Sequence, residues 1–351
     1  MNRIELMSNN TITITRLTSS SYADWDNYVE GNPQGTFFHL RGWETVIKEA
    51  FGHDTCYLMA QQDGNIVGVV PLGHIKSRLF GNALVSNPFC VYGGAIADTP
   101  EIRSQLEVAA ETEAVEREVD YLELRNIEKT QNDWPVKELY VTFRKEIDPD
   151  PEVNLKAIPR RQRRMVRLGI KAGLESSIHD TVDEFFKIYS ASVRNHGTPI
   201  FPKKYFELLK NVFAEKCEIR VVKKGKKTIS TVMSFYFRDE VLPYYGGGIP
   251  DARKYNAFDF MYWDLMRASC QQGVRIFDYG RSKLGTGPYS FKKNWGFTPE
   301  PLQYQYRLVG CESMPEVNPL NPKYQLFIKV WKHLPLPIAN AVGPLLARSL
   351  G

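Results

Sequence analysis

The spacing of apolar and polar positions shows one design used twice. Residues 57–75 form two apolar runs that meet at Asp63, Gly64 and Asn65, a turn chemistry that predicts a β-hairpin. Residues 218–237 repeat the pattern, with the turn at 224–227. Each predicted hairpin leads to an aromatic, glycine-rich strand end: Val91, Tyr92, Gly93, Gly94, Ala95 and Ile96 in the first half, Tyr244, Tyr245, Gly246, Gly247, Gly248 and Ile249 in the second. A helical stretch follows each, over 101–118 and 258–272, and runs into a short strand, over 121–125 and 275–281. Hairpin, strand, helix and strand in the same order twice point to a duplicated α/β fold. One further helical stretch, over 22–52, precedes the first copy. Asp148, Pro149, Asp150 and Pro151 have the turn chemistry of a boundary. The expected division is therefore a first domain over 1–150, a second over 151–310 and a tail over 311–351.

Composition fits that division. A chain of 351 residues, 43% hydrophobic and 24% charged, has ordinary globular make-up and length enough for two cores. A net charge of +5 is too mild to require nucleic acid, but it favours an anionic ligand wherever the excess gathers. It gathers over 156–171, where Lys156, Arg160, Arg161, Arg163, Arg164, Arg167 and Lys171 occur without an acidic residue. On a helix, Arg160, Arg164, Arg167 and Lys171 share one face, a stripe suited to bidentate phosphate contacts. A solvated surface helix is the alternative reading of such a run. Cys56, Cys90, Cys217, Cys270 and Cys311 are odd in number and form no C-x-x-C pair, as expected of reduced core thiols. The first fifteen residues lack the order of a signal peptide and no run of eighteen apolar residues occurs, so a cytoplasmic chain without a transmembrane segment is expected.

The densest group of chemically useful residues lies over 277–297. Asp278 and Arg281 fall where a strand ends, Gly285, Thr286, Gly287 and Pro288 form a turn, and Lys292 and Lys293 follow beside aromatics. These are parts for holding a polar substrate, and Tyr245, Gly246 and Gly247 at the preceding strand end are candidate contacts for it. A lysine here can stabilise oxyanion charge during acyl transfer, and Asp278 or Tyr289 can take a proton from an attacking amine. A tight turn with structural aromatics is the alternative. The six histidines show no metal-ligand spacing, and H-E-x-x-H, G-x-S-x-G, Walker A and G-x-G-x-x-G patterns are absent, so no metal is expected and hydrolase, NTPase and dehydrogenase readings lose ground.

These residues resemble the FemAB-like family of peptidyl and aminoacyl transferases. Gly35, Thr36, Phe37, Phe38, His39, Leu40, Arg41, Gly42 and Trp43, with Lys48, are similar to the family's opening pattern. The basic helix, residues 189–194, F-D-Y-G-R-S and G-T-G-P-Y-S-F-K-K-N-W-G-F are similar to its second half. The details resemble a FemAB-related subgroup associated with exosortase (PEP-CTERM) and exopolysaccharide systems. The resemblance implies two tandem GNAT (acetyltransferase)-like domains, with mixed sheets and flanking helices. It also implies transfer of an acyl or aminoacyl group to an amine of a cell-envelope or polysaccharide-related acceptor. Phe291 and Lys292 match the family's F-K pair, which implies charge stabilisation by Lys292; Lys48 and Arg194 match regions that contact an acceptor's phosphates. Aminoacyl-tRNA and acyl-CoA both stand as donors. In most acetyltransferases of the related fold a glycine-containing loop at a helix N-terminus holds the CoA pyrophosphate. Here residues 250–256 contain no glycine, and Asn256 and Asp259 are spaced like an N-cap pair. The chain also lacks the long heptad-bearing arm of classical cell-wall members, which weighs against tRNA.

Residues 324–350 alternate apolar clusters with Lys329, Lys332, His333 and Arg348, interrupted by Pro335, Pro337 and Pro344, and cannot be one spanning helix. They read either as a segment docked on the core or as an interfacial segment at the inner face of a membrane. Two functional readings compete with the enzyme. One is a catalytically silent module that binds a saccharide or nucleotide, and the other is a tRNA-binding adaptor using the 160–171 face.

Overall fold

The computed structural model describes residues 11–77, 81–131, 133–315 and 322–349. The described residues divide between two compact units, those within Met1–Lys48, His53–Pro135 and Tyr304–Met314 in the first and those within Glu49–Gly52, Val136–Gln303 and Pro315–Gly351 in the second.

The first unit is built on strands β1 (Thr13–Arg16), β2 (Asp54–Gln62), β3 (Asn65–Ser77), β4 (Gly81–Ser86), β5 (Ile96–Ala97), β6 (Tyr121–Asn126) and β16 (Gln303–Leu308). The sheet order is β1-β2-β3-β4-β6-β16, with β5 on β3. The β2–β3 hairpin turns at Asp63 and Gly64, both at positive φ, as a tight turn requires. Helices α1 (Tyr22–Gly31) and α2 (Gly42–Phe51) precede the hairpin, and α3 (Pro100–Glu116) connects β5 to β6. Thr99 caps α3 by accepting from the Ile102 amide, with Pro100 at the first helical position. Leu106, Ala110 and Ala114 of α3 pack on Leu58, Val70, Leu84 and Leu122 to make the core.

The second unit repeats this order with β8 (Arg144–Glu146), β9 (Leu174–His179), β10 (Cys217–Lys224), β11 (Lys227–Phe237), β12 (Glu240–Gly248) and β13 (Ile276–Asp278), arranged β8-β13-β12-β11-β10-β9. A small sheet, β14-β7-β15, joins β7 (Tyr140–Thr142), β14 (Ser282–Lys283) and β15 (Glu300–Pro301). In both large sheets the strand after the long helix is parallel to its neighbour, β6 to β4 and β13 to β12, and the earlier pairings are antiparallel. The last strand of each sheet comes from the segment that follows the other unit's parallel strand: β8 follows β6 in the chain, and β16 follows β13. The helices are α4 (Pro151–Ala157), α5 (Arg160–Lys171), α6 (Asp183–His196), α7 (Lys203–Phe213), α8 (Asp251–Lys254), α9 (Ala257–Gln271), α10 (Gly287–Asn294), α11 (Pro322–His333) and α12 (Leu336–Ala347). The fold is mixed α/β, with helices flanking both large sheets.

Several elements differ from their expected form. The 22–52 stretch is two helices and not one: Asn32 is extended, as a residue before proline prefers to be, and a 3-10 turn, Phe37–His39, intervenes. The first Y-G-G segment is loop and not strand, with only Ile96–Ala97 paired. Asn87 and Phe89 sit at φ of 48° and 70°, and β4 takes the place of the third strand. Asn87 is fixed there by the Tyr57 hydroxyl, which donates to Oδ1 at 2.9 Å, and by its own donation to the Phe38 carbonyl. In the second unit the Y-G-G-G segment is strand, and its glycines admit helices. A Cβ on Gly247 would lie 2.9 Å from Tyr189 Cα of α6, and one on Gly248 would lie 2.7 Å from Phe258 of α9. The 275–281 stretch is strand only over Ile276–Asp278.

Candidate active site

Helix α10 and the end of β13 build the site in the second unit. Strands β12 and β13 pair only at Glu240↔Ile276 and Val241↔Phe277. Tyr262, Tyr279, Phe291 and Trp295 then pack ring on ring, with the Tyr262 hydroxyl 2.9 Å from where a Cβ on Gly246 would stand. Past Asp278 the chain bends through Gly280, at φ of 62°, into β14. Two side chains hold that bend. The buried Asp278 accepts from the Gly280 amide at 2.6 Å, and Lys292 reaches back from α10 to donate to the carbonyls of Tyr279, Gly280 and Arg281 at 2.6, 3.0 and 3.0 Å.

Burial pulls Lys292 down to about 7, with Asp278 opposing and Arg281 assisting. The three carbonyls favour the ammonium, because only the charged form has three protons to give. Around it, Arg281 lies 4.6 Å over the Tyr140 ring and Lys283 5.8 Å from the same ring, while Tyr289 meets Phe143 edge-on at 5.5 Å. Burial, then Arg281 and Lys137, bring Lys283 down to about 8. The bend is thus cationic, and its ammonium is fixed in position.

Asp278 also belongs to a buried acid pair. Arg144 of β8 donates to both carboxylate oxygens of Glu240, at 3.2 and 2.9 Å, and lies 3.5 Å from Asp278. One guanidinium cannot neutralise two carboxylates, so burial and the Asp278 charge push Glu240 up to about 8 against the pull of Arg144. A carboxyl whose folded value lies above its unfolded one holds a proton that the unfolded chain has already lost, so stability falls as pH rises from about 4.5 to about 8, by at most about 1.4 kcal/mol per unit. Glu240→Gln keeps an oxygen for Arg144 and removes the titration. The wild-type urea-unfolding free energy minus that of the variant is expected to fall steadily between pH 5 and 8, a difference in which the opposite slope that Lys292 and Lys283 give both proteins towards pH 8 cancels; parallel profiles would refute the assignment.

Next to the bend, a groove of about 400 Å³ runs along α5, α8, the start of α9 and α10, with Arg161, Met165, Arg253, Asn256, Phe258 and Phe291 on its walls. Helix α5 forms as expected. Its Val166 is buried and its Gly169 lies close against Phe260 of α9, which leaves Arg160, Arg161, Arg164, Arg167 and Lys171 exposed. The expected N-cap pair is replaced. Asn256 is left-handed, at φ of 54°, and makes no side-chain cap bond. Asp259 turns inward to accept from Trp295 Nε1 at 3.1 Å and from Gln162. The positive end of α9 thus meets arginines from α5 and α8 at one groove, an arrangement that attracts anions.

Of the residues singled out in the sequence, the structure gathers Asp278, Arg281, Tyr289, Phe291 and Lys292 at the bend, and Arg160 and Arg164 on the face of α5 beside the groove. Others lie elsewhere. Tyr245 is buried among Tyr189, Phe201, Tyr205 and Phe206, with its hydroxyl 2.7 Å from that of Tyr205, and Gly246 and Gly247 are packed against Tyr262 and α6. Arg194 donates to the carbonyls of Lys332 and Leu334, at 3.3 and 3.2 Å, where α11 ends. Lys48 lies on α2, paired with Glu44 at 2.6 Å. Sequence reading missed Glu240 and Arg144, which carry no motif, it did not single out Lys283 within the 277–297 group, and it missed that Arg161 and Arg253 share a groove. Among the described residues no group of three or more His, Cys, Asp or Glu is arranged to hold a metal ion, and no helix is long and apolar enough to cross a membrane.

With this geometry in view, the comparisons with known proteins define a fold class. Residues 155–293 match the family model described as an acetyltransferase (GNAT) domain. The structure is similar to that of FemX, with a TM-score of 0.67 at 16% identity over 90% of this chain and 100% of that one. It is also similar to the C-terminal domain of a putative lysylphosphatidylglycerol synthetase from Agrobacterium fabrum, with a TM-score of 0.54 at 14% identity over 82% of this chain and 91% of that one. A tandem GNAT protein from the clavulanic acid biosynthesis pathway gives 0.53 at 10% identity over 86% and 100%. No curated protein matches. At such identities the likeness is one of fold: the chain has a tandem GNAT-like architecture, mixed α/β with flanking helices.

Proposed function

We propose that the chain is a FemAB-type N-acyltransferase that moves an acyl or aminoacyl group from an anionic carrier onto an amine of a cell-envelope or polysaccharide-related acceptor. The observation that carries this reading is the juxtaposition of the arginine-walled groove at the start of α9 with the Lys292 bend, through Phe291, which lines the groove and neighbours Lys292 on α10. The carrier's phosphates rest against Arg161 and Arg253, with the exposed stripe of α5 beyond them. The acceptor nitrogen attacks the acyl carbonyl. The C–N bond forms, the amine loses its proton, and the C–O bond of an aminoacyl ester or the C–S bond of a thioester breaks, the departing oxygen or sulfur taking up a proton. Oxyanion charge in between develops beside the Lys292 ammonium, which gives up one carbonyl contact to meet it. Asp278 is a positioning residue that acts through the Gly280 amide.

The test is donor binding, with aminoacyl-tRNA and acyl-CoA offered separately to the wild type and to Arg161→Glu/Arg253→Glu. The groove's carrier is expected to bind at least about tenfold more weakly to the variant, because two charge-assisted contacts become repulsive. For tRNA the affinity should also fall steeply with salt. Equal affinities of wild type and variant for both carriers would rule out the groove.

A further inference from the structure

Helices α11 and α12 of the second unit each lay one side on α6. Trp331 of α11 is buried, Ile328 lies against Gly197, and Ala339, Gly343 and Ala347 of α12 are buried, with Gly343 against Ile200. The docked reading of this tail therefore holds for its inner side. The outer sides are a different matter. Leu326, Phe327 and Val330 of α11 are 68%, 37% and 58% exposed, and Ile338, Val342 and Leu345 of α12 are 48%, 40% and 68% exposed. On each helix these positions fall on one side at helical spacing, so they form stripes and are not scattered. A helix already anchored by its inner side gains no folding energy from a second apolar side, and contiguous apolar surface of this kind marks an interaction site.

The charge around the stripes selects the partner. Residues 322–349 contain Lys323, Lys329, Lys332, His333 and Arg348 and no Asp or Glu. Two copies meeting through this surface would bring like charges together, because a two-fold interface pairs a patch with itself. An anionic bilayer surface offers acyl chains to the stripes and negative headgroups to the cations. Each helix has twelve residues, a length of ~18 Å, too short to span the hydrocarbon. We infer that the α11–α12 pair lies in the plane of an anionic membrane surface, with Leu326, Phe327, Val330, Ile338, Val342 and Leu345 entering the interface. This does not rest on the acyl-transfer reading.

The experiment is co-sedimentation of the full chain with vesicles of phosphatidylcholine alone and of phosphatidylcholine with phosphatidylglycerol. Leu326→Ser/Val330→Ser/Leu345→Ser and Lys329→Glu/Lys332→Glu are compared with the wild type. All five positions are exposed, so both variants are expected to keep the wild-type circular dichroism. The wild type is expected to sediment with the phosphatidylglycerol vesicles, and each variant to bind at least about tenfold more weakly. Wild type that stays in the supernatant with both vesicles, or a serine variant that sediments as the wild type does, overturns the inference. A wild-type dimer without vesicle binding, made monomeric by the serine substitutions, would overturn it as well and assign the stripes to a protein interface.

Discussion

Lys292→Met is expected to lower single-turnover acyl transfer by about 10²–10³-fold, the usual cost of removing one oxyanion partner, while donor affinity stays within about twofold. The two readouts separate because the ammonium sits at the bend, held by the carbonyls of Tyr279, Gly280 and Arg281, while the groove is walled by Arg161 and Arg253. The same substitution removes the partner of three carbonyls, each worth about 1–3 kcal/mol if left buried without one. The variant should therefore also unfold at lower urea concentration, and its near-UV circular dichroism must be shown to persist. A purely structural lysine would lose stability and leave the rate of the surviving folded fraction unchanged. That result would remove Lys292 from the chemistry.

Trp295→Ala is expected to cost about 3–5 kcal/mol of folding free energy, the range for emptying a large aromatic site in a core. Trp295 closes α10, is 1% exposed, and packs against Tyr262, Tyr279 and Phe291 while donating to Asp259. Its loss opens a cavity and leaves the buried Asp259 with one donor fewer, and it frees the helix that carries Phe291 and Lys292. Trp295→Phe keeps most of the ring and should cost about 1–2 kcal/mol, chiefly the hydrogen bond. Urea unfolding of the three proteins decides this. An alanine variant within 1 kcal/mol of the wild type would mean that α10 is held in some other way.

The parts of this fold that the sequence makes legible are those fixed by neighbouring residues. Both hairpins declare themselves through Asp63-Gly64 and the turn at Gly225, and the helix over Arg160–Lys171 through its spacing. Edge strands are different. Arg144–Glu146 contains no apolar residue, and it is a strand because Ile276, Phe277 and Asp278 pair with it from far along the chain. The two Y-G-G segments show the same limit. Their letters agree, but Tyr57 and Phe38 hold Asn87 and bend the first into a loop, while the second continues β12. In the site, Phe291 and Lys292 were visible as a motif. The Glu240–Arg144–Asp278 cluster joins three strands and has no signature in one dimension.

The most direct measurement is product formation by the wild type: isotope-labelled aminoacyl-tRNA or acyl-CoA is mixed with an amine acceptor, and the new amide is detected by mass spectrometry. The account predicts an amide from one of the two carriers, formed by the wild type and nearly abolished in folded Lys292→Met. A folded wild type that binds its carrier in the arginine-walled groove and yet forms no amide with any amine acceptor would contradict it, and would make the chain a binding module on a transferase fold.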